Sequence, residues 1–380
     1  MIQRAIEKVI LKRWDSGKAI MLLGPRQTGK TTLLKKITAE KGSCLFLDCD
    51  EMLVREKLED ANLENLKQII GHHKVIFVDE AQRVKNIGLT LKIMIDQLSN
   101  KQLLVSGSSA LELANEINEP LTGRKWEYLL YPLSWGELRE HYGYLTAQKQ
   151  LEQRIVYGMY PDVINNRGDE EAVLKQLASS YLYKDILSLA SIRKPDLLPS
   201  LLKALALQLG SEVSLNELSN LLGVNKDTIG SYIDLLEKAF IIFRLEPFSR
   251  NLRNEIKSSR KIYFYDNGIR NAIISNYNPL SIRQDTGALW ENFLISERKK
   301  SLEYNEVSAT SYFWRTTQKQ EIDYIEERGG EILSWEFKWN PKAKAKVSKT
   351  FTKTYLSETK VIHRENFEDF VFYSTLNPKP

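Results

Sequence analysis

The sequence has little cysteine and little histidine. Two cysteines in 380 residues cannot build a disulfide framework or, by themselves, a four-ligand metal site. Cys44 and Cys49 are five apart, one in an expected strand and one in the loop after it, so they point to opposite faces. His72 and His73 precede a strand with no acid or cysteine at ligand spacing, and read as loop residues. No apolar run approaches the roughly 18 residues of a membrane-spanning helix; the longest resemble Ala19–Leu23. Met1 to Trp14 alternate apolar residues with Arg, Glu and Lys, unlike a signal peptide. Internal repeats and low-complexity segments are absent too. With 42% hydrophobic and 27% charged residues, disordered and fibrous classes are excluded. The expectation is a reduced, soluble, cytoplasmic protein without membrane contact, of two or three domains.

Charge of one sign is also nearly lacking: 54 basic against 49 acidic residues leaves only +5. Its distribution is uneven. Residues 244–261 hold Arg244, Arg250, Arg253, Lys257, Arg260 and Lys261 against Glu246 and Glu255, and residues 338–349 hold Lys338, Lys342, Lys344, Lys346 and Lys349 with no acid. Such clusters suit a phosphate backbone; a solvated face is the other reading.

What is present first is alternation. Apolar runs of strand length stand at Ala19–Leu23, Cys44–Leu47, Val75–Val78, Leu103–Val105 and Tyr128–Tyr131, separated by helical spacings such as Thr31–Thr38 and Ile87–Leu98. Continuous apolar strands between helices predict an α/β fold, a parallel sheet covered on both faces, with its ligand beyond the carboxyl ends of the strands. Residues 134–199 turn mostly helical, broken at Gly158, Pro161 and Gly168. Ser214-Leu215-Asn216-Glu217 reads as a capping box opening a helix over Leu215–Leu222. Gly223-Val224 then turns the chain, and a second helix runs from Lys226 to Ala239. Strands over Ile241–Leu245 and Lys261–Tyr265 follow, so residues 200–286 have the order of a winged helix-turn-helix. Residues 287–380 predict a helix over Leu289–Arg298 and strands near Ser311–Trp314, Glu321–Glu326 and Ile332–Phe337.

Gly24-Pro25-Arg26-Gln27-Thr28-Gly29-Lys30-Thr31, followed by Thr32, fits the phosphate-loop pattern at every fixed position. Its glycines let successive backbone N–H groups turn toward phosphates, and the helix starting there adds its positive end. Lys30 would reach the β- and γ-phosphates of ATP, and the Thr31 hydroxyl would bind Mg²⁺. Asp79, at the end of an apolar strand, would hold the same Mg²⁺, and Glu80 would polarise the attacking water. Ser106-Gly107-Ser108-Ser109 ends the next strand where Ser108 could sense the γ-phosphate. Arg124 is open to two readings, a surface residue or an arginine reaching a nucleotide in its own chain or a neighbour's.

The string from Leu23 to Thr32, with Val78-Asp79-Glu80-Ala81-Gln82, Ser106-Gly107-Ser108-Ser109, Gly123-Arg124 and Tyr131-Pro132-Leu133-Ser134, resembles a prokaryotic family of AAA-type ATPases with a C-terminal domain of unknown function. Gly158-Met159-Tyr160-Pro161-Asp162 and Tyr183-Lys184-Asp185-Ile186 resemble motifs of that second domain. The resemblance implies an AAA-type ATPase core over residues 1–133, a helical region over 134–199, a winged helix over 200–286 and a restriction-endonuclease-like α/β module over 287–380.

In the last module, Glu321-Ile322-Asp323 and Glu336-Phe337-Lys338 have the form of the PD-(D/E)XK nuclease motif without its proline. Asp323 and Glu336 would hold a divalent metal, Lys338 would help activate water, and Glu291 is placed to add a further acid. On the second helix of the winged region, Asn225, Lys226, Asp227, Thr228, Ser231 and Tyr232 could read bases, with Arg250 and Arg253 on phosphates. Two functions compete: an ATP-hydrolysing, Mg²⁺-dependent protein that binds DNA and couples hydrolysis to its remodelling or metal-dependent cleavage, or a regulatory ATPase switch that binds a protein partner, with an inactive nuclease-like scaffold. An Arg124 acting in trans would require a ring or a dimer.

Overall fold

The structure is a computed structural model that describes residues 1–108, 120–179, 194, 196–250, 260–345 and 347–372. Ser109 and the Tyr183–Ile186 motif, with Arg253, Lys257 and Lys346, lie outside the described residues. The chain divides into two compact units: Met1–Leu133 with Lys238–Phe240, and Ser134–Glu237 with Ile241–Pro380.

In the first unit, among the described residues, β1 (Ala19–Leu23), β2 (Cys44–Asp48), β3 (Val75–Asp79), β4 (Gln102–Gly107) and β5 (Lys125–Leu129) form one sheet in the order β2-β3-β4-β1-β5. All four pairings are parallel. Every residue of β1, β3 and β4 is buried, as uninterrupted apolar strands in a covered parallel sheet require. Helices Lys30–Ala39 and Ile87–Gln97 bury Leu33, Leu34 and Ile37, and Leu91 and Met94. The α/β parallel fold expected from the sequence is the fold observed. The strand expected at Tyr128–Tyr131 begins earlier, because pairing with β1 aligns Ala19 with Lys125 and Leu23 with Leu129. As an edge strand β5 keeps Glu127 exposed, and its polar residues hid it from an apolar-run reading.

The second unit opens with helices Trp135–Tyr142, Tyr144–Tyr157, Pro161–Asn165, Glu170–Leu177 and Leu197–Leu207. A full capping box starts the first of them, Ser134 and Glu137 each bonding the other's backbone. At Ser214 the hydroxyl accepts the Glu217 N–H at 3.3 Å, the half of the box that the helix Leu215–Leu222 shows. Gly223 closes that helix with φ +65°, a left-handed C-cap that glycine adopts without steric cost, and helix Lys226–Lys238 follows.

Among the described residues the second sheet has seven strands: β6 (Glu212–Val213), β7 (Ile242–Pro247), β8 (Arg260–Phe264), β9 (Thr310–Arg315), β10 (Glu321–Arg328), β11 (Glu331–Phe337) and β12 (Thr359–Ile362), in the order β12-β11-β10-β9-β7-β8-β6. β7 and β8 are an antiparallel hairpin, and β7 also runs parallel to β9 through Glu246 and Pro247. The hairpin after the paired helices is therefore continuous with the strands of residues 310–337, and the sheet runs across position 286. Helix Thr286–Tyr304 buries Leu289, Trp290, Phe293 and Leu294 together with Asn292, Glu297, Arg298 and Lys300. The helix runs past the Leu289–Arg298 span that apolar spacing suggests, by three residues at its start and six at its end. Phe248, Trp314, Ile322, Ile325, Phe351 and Tyr355 form an aromatic-rich core cluster.

Ion pairs inside this unit include Arg298 with Glu326. Arg298 Nε and Nη2 donate to the two Glu326 carboxylate oxygens at 2.6 and 2.8 Å, and Nη1 donates to Phe370 O at 2.7 Å. Glu326 is fully buried. Removing one partner of a buried pair leaves an uncompensated charge. Glu326→Ala should therefore lower unfolding stability by about 3–5 kcal/mol, read as an earlier denaturant midpoint. An unchanged midpoint would show that water reaches Arg298.

Candidate functional site

The loop after β1 is shaped by positive backbone angles. Gly24 has φ +141°, and a Cβ there would lie 2.3 Å from Leu130 O. Gln27 (φ +59°) and Gly29 (φ +93°) turn the backbone back toward helix Lys30–Ala39. Thr28 Oγ1 donates to Pro25 O at 2.8 Å, and Lys30 Nζ donates to Gly24 O and Pro25 O at 2.8 Å each. The ammonium thus lies along the loop's own carbonyls. From the N-terminal segment, buried Arg4 donates to Thr28 O at 2.6 Å and to Tyr131 O at 2.7 Å. Pro25 and Arg26 complete the turn, and Thr32 continues the helix.

Strand order decides what meets this loop. β4 lies between β1 and β3, so Asp79 at the end of β3 stands two strands, roughly 10 Å, from the β1 axis. The gap is crossed by hydroxyls: Thr31 Oγ1 is 3.2 Å from Asp79 Oδ1, and Ser106 Oγ on β4 donates to the same oxygen. Burial raises the Asp79 pKa above its ordinary value, with the Ser106 and Thr31 hydrogen bonds opposing it. Glu80 sits at φ +51°, which swings its carboxylate out of the strand line. Gln82 Nε2 and Ser108 Oγ (3.1 Å) donate to Glu80 Oε2, Gln82 Nε2 also donates to Ser108 Oγ at 3.0 Å, and Arg26 Nε lies 3.5 Å from that hydroxyl. The structure brings Arg26, Lys30, Thr31, Asp79, Glu80 and Ser108 to one edge of the sheet. The oxygen donors Thr31 and Asp79 suit Mg²⁺ in kind and separation.

Arg124 stands elsewhere. It directly precedes β5, and its carbonyl accepts the N–H of Ala19, the first residue of β1. It therefore lies at the amino edge of the parallel sheet, a strand length of roughly 17 Å from the phosphate loop. Its Nε donates to Asp96 Oδ1 at 2.7 Å. The reading of Arg124 as an arginine reaching a nucleotide within its own chain is corrected by this placement.

In the second unit the expected metal acids are close but each is already engaged. Tyr263 OH donates to Glu291 Oε1 at 2.5 Å, and Lys261 Nζ lies 3.1 Å from that oxygen and 2.6 Å from Glu321 Oε1. Asp323 Oδ2 accepts the Phe337 N–H at 2.7 Å and faces Lys338 Nζ at 3.9 Å. Lys338 Nζ is 3.3 Å from Glu336 Oε2. Burial pushes Glu291 up to about 7, against the Lys261 charge. Burial and the Asp323 charge push Glu336 up to about 8, against Lys338. Among the described residues no group of three His, Cys, Asp or Glu is placed to hold a metal ion. Glu291, Asp323 and Glu336, the acids expected to hold a metal, thus each face a lysine, a tyrosine or a backbone N–H.

The basic stretch 244–261 is neutralised where it is described. Arg244 pairs with Asp234 and Glu237, Arg250 with Glu327, Arg260 with Glu246, and Lys261 is buried. Asn225 caps its helix by accepting the Thr228 N–H at 2.8 Å, Ser231 Oγ bonds Asp227 O, and Tyr232 is buried. The residues that sequence reading missed are Arg4, Gln82, Lys261, Tyr263 and Ser106 as the direct Asp79 partner. Lys261 and Tyr263 alternate in step on one strand face, a signal that charge counting over the segment obscured.

Three family models match the chain: an AAA domain over residues 16–139, a domain of unknown function (DUF8612) over 148–280, and a domain of unknown function (DUF4143) over 286–378. An uncharacterized protein of Mycobacterium tuberculosis is 26% identical over 324 residues, covering 84% of this chain and 70% of its own. One from Haemophilus influenzae is 26% identical over 342 residues, covering 82% and 80%, and one from Methanocaldococcus jannaschii is 25% identical over 331 residues, covering 81% and 72%. Among solved structures, a Walker-type ATPase of Pyrococcus abyssi aligns over 72% of this chain and 96% of its own at a TM-score of 0.52 and 17% identity, a likeness of fold. The first unit has the fold and sequence pattern of an AAA-type ATPase domain. Among the described residues no helix is long and apolar enough to cross a membrane.

The close approach at Gly24 yields a test. An alanine there combines positive φ, costing roughly 1–2 kcal/mol, with a Cβ driven against an immovable carbonyl. Gly24→Ala should weaken ATP binding at least about tenfold by calorimetry, while Gly42→Ala, at a positive-φ glycine with open space around it, should leave affinity unchanged. Equal affinity in both would separate the loop from nucleotide.

Proposed function

We propose that this protein binds and hydrolyses ATP with Mg²⁺ at the carboxyl edge of its parallel sheet, and that its second unit is a nuclease-like scaffold that binds a partner without cutting nucleic acid. The convergence of Lys30, Thr31, Asp79, Glu80 and Ser108 on one edge carries the first half. Backbone N–H groups between Gly24 and Thr31, with the start of helix Lys30–Ala39, would cradle the phosphates, and Lys30 would move from the loop carbonyls onto the β- and γ-phosphates. Thr31 and Asp79 would hold Mg²⁺, which neutralises phosphate charge when bound. Glu80 would orient the attacking water and accept its proton, with Gln82 and Ser108 steering its carboxylate. The engagement of Glu291, Asp323 and Glu336 by lysines, a tyrosine and a backbone N–H supports the scaffold reading. Arg124 would serve a nucleotide only from a second copy, so a protein that stays monomeric with ATP excludes that role.

Lys30→Ala should abolish ATP binding, and equal affinity in mutant and wild type would sink the assignment. Glu80→Gln should bind ATP but turn it over about 10²–10⁴-fold more slowly; if turnover survives, the water-activating group lies elsewhere.

DNA binding is a second reading, favoured by one observation. Lys342, Lys344 and Lys349 are exposed and make no ion pair among the described residues. If they contact phosphates, binding of labelled duplex should weaken steeply with salt, and replacing all three by alanine should reduce the salt slope by about three units. A slope that does not change assigns these lysines to a solvated face.

A further inference from the structure

The acid cluster of the second unit holds a cation of its own. Lys261 reaches it from β8 with its side chain 2% exposed. Its ammonium lies between Glu291 (3.1 Å) and Glu321 (2.6 Å), with the Phe313 ring centroid 5.5 Å away. Burial alone would lower its pKa, but the charges of Glu291, Tyr263, Glu321 and Asp323 outweigh that and hold it well above the ordinary lysine value. Tyr263, two residues along the same strand face, gives its hydroxyl proton to the carboxylate oxygen that Lys261 also faces. On the other side Lys338 covers Glu336 and Asp323, and Arg315 Nε stands 3.8 Å from Glu321 Oε2. Each of the four carboxylates therefore has a fixed cationic neighbour.

A divalent ion needs two or three oxygen donors turned inward with free lone pairs at roughly 2.0–2.6 Å. Here it would have to displace an ammonium enclosed by Glu291 and Glu321 while remaining beside that of Lys338. We infer that Lys261 is the built-in cation of this cluster, occupying the electrostatic position that a divalent metal takes in a metal-dependent nuclease, so that the cluster recruits no such ion. The inference rests on the scaffold reading and gives it a residue. It makes the ion network a tie, because Lys261 on β8, Glu291 on helix Thr286–Tyr304 and Glu321 on β10 come from three separate elements. Removing the ammonium would leave the acids uncompensated and open to an added cation.

The test titrates MnCl₂ into the full chain without nucleotide, in an Asp79→Asn background so that the phosphate-loop acid does not contribute. No saturable Mn²⁺ site should appear. Adding Lys261→Ala should create one, seen by calorimetry and as an Mn²⁺-dependent rise in melting temperature, and Asp323→Asn should remove it again. Lys261→Arg should stay blind to Mn²⁺, since it keeps the charge. A Mn²⁺ site already present with Lys261 in place and lost on Asp323→Asn overturns the inference, whether or not Lys261→Ala folds; so does a folded Lys261→Ala that gains no site. Incubation of the wild type with Mn²⁺ and duplex, single-stranded or branched DNA is read separately. Cleavage lost on Asp323→Asn sinks the scaffold reading itself, whereas Mn²⁺ binding at Asp323 without cleavage sinks only the role of Lys261.

Discussion

Parallel pairing of β1, β4 and β3 is the constraint from which the first unit's chemistry follows. In a parallel sheet every strand finishes on the same edge, so residues far apart in sequence meet there without help from long ordered loops. Because β4 is interposed, Asp79 cannot touch the phosphate loop's own strand, and Ser106 and Thr31 fill the interval with hydroxyls. Those bonds also answer a cost: a buried carboxylate loses hydration, and hydrogen bonds to its charged form recover part of it. Arg4 ties the loop's back to the end of the edge strand through Thr28 O and Tyr131 O, so the loop is fixed from both sides before any ligand arrives.

The second unit meets the same cost on a larger scale and meets it with ions. Arg298 and Glu326, Lys300 and Glu297, Arg270 and Asp285, and Lys261 with Glu291 are all largely buried pairs. Such pairs add little net stability over apolar residues of similar volume, yet breaking one is expensive. They fix which element lies against which: Lys261 on β8 accepts only an arrangement in which β10 and helix Thr286–Tyr304 present Glu321 and Glu291 together. The continuous sheet through β7 and β9 has the same consequence, since the hairpin cannot shift without moving the strands that carry Asp323 and Glu336.

What could be read in the sequence was what is local. The phosphate loop is consecutive, and its glycine positions follow from backbone angles that few other residues adopt. β1, β3 and β4 are apolar throughout because both faces are covered. β5 was displaced because an edge strand alternates, and helix Thr286–Tyr304 was shortened because charged residues within it are buried. The acid cluster was only partly legible for a different reason. Asp323, Glu336 and Lys338 have the spacing of a metal site, but the acids beside them, Glu291 and Glu321, pair with Lys261, some 60 residues upstream, which in the sequence belongs to a basic stretch. The readings of Arg124 could not be separated either, since a Gly-Arg pair says nothing about the edge of the sheet on which it lies.

The two acid groups of this chain differ in the charge of their partners, and that difference decides what each can do. Asp79 and Glu80 are held by Thr31, Ser106, Ser108 and Gln82, neutral donors that orient a carboxylate and leave its charge in place. A cation brought by a nucleotide meets that charge uncancelled. Glu291, Glu321, Asp323 and Glu336 face Lys261, Lys338 and Arg315, cations already seated among them. Carboxylates of the second kind already hold cationic partners, and the role inferred for Lys261 rests on that difference. A motif of acids at the right spacing therefore describes only part of a site, and the partners those acids already hold are seen only in the fold.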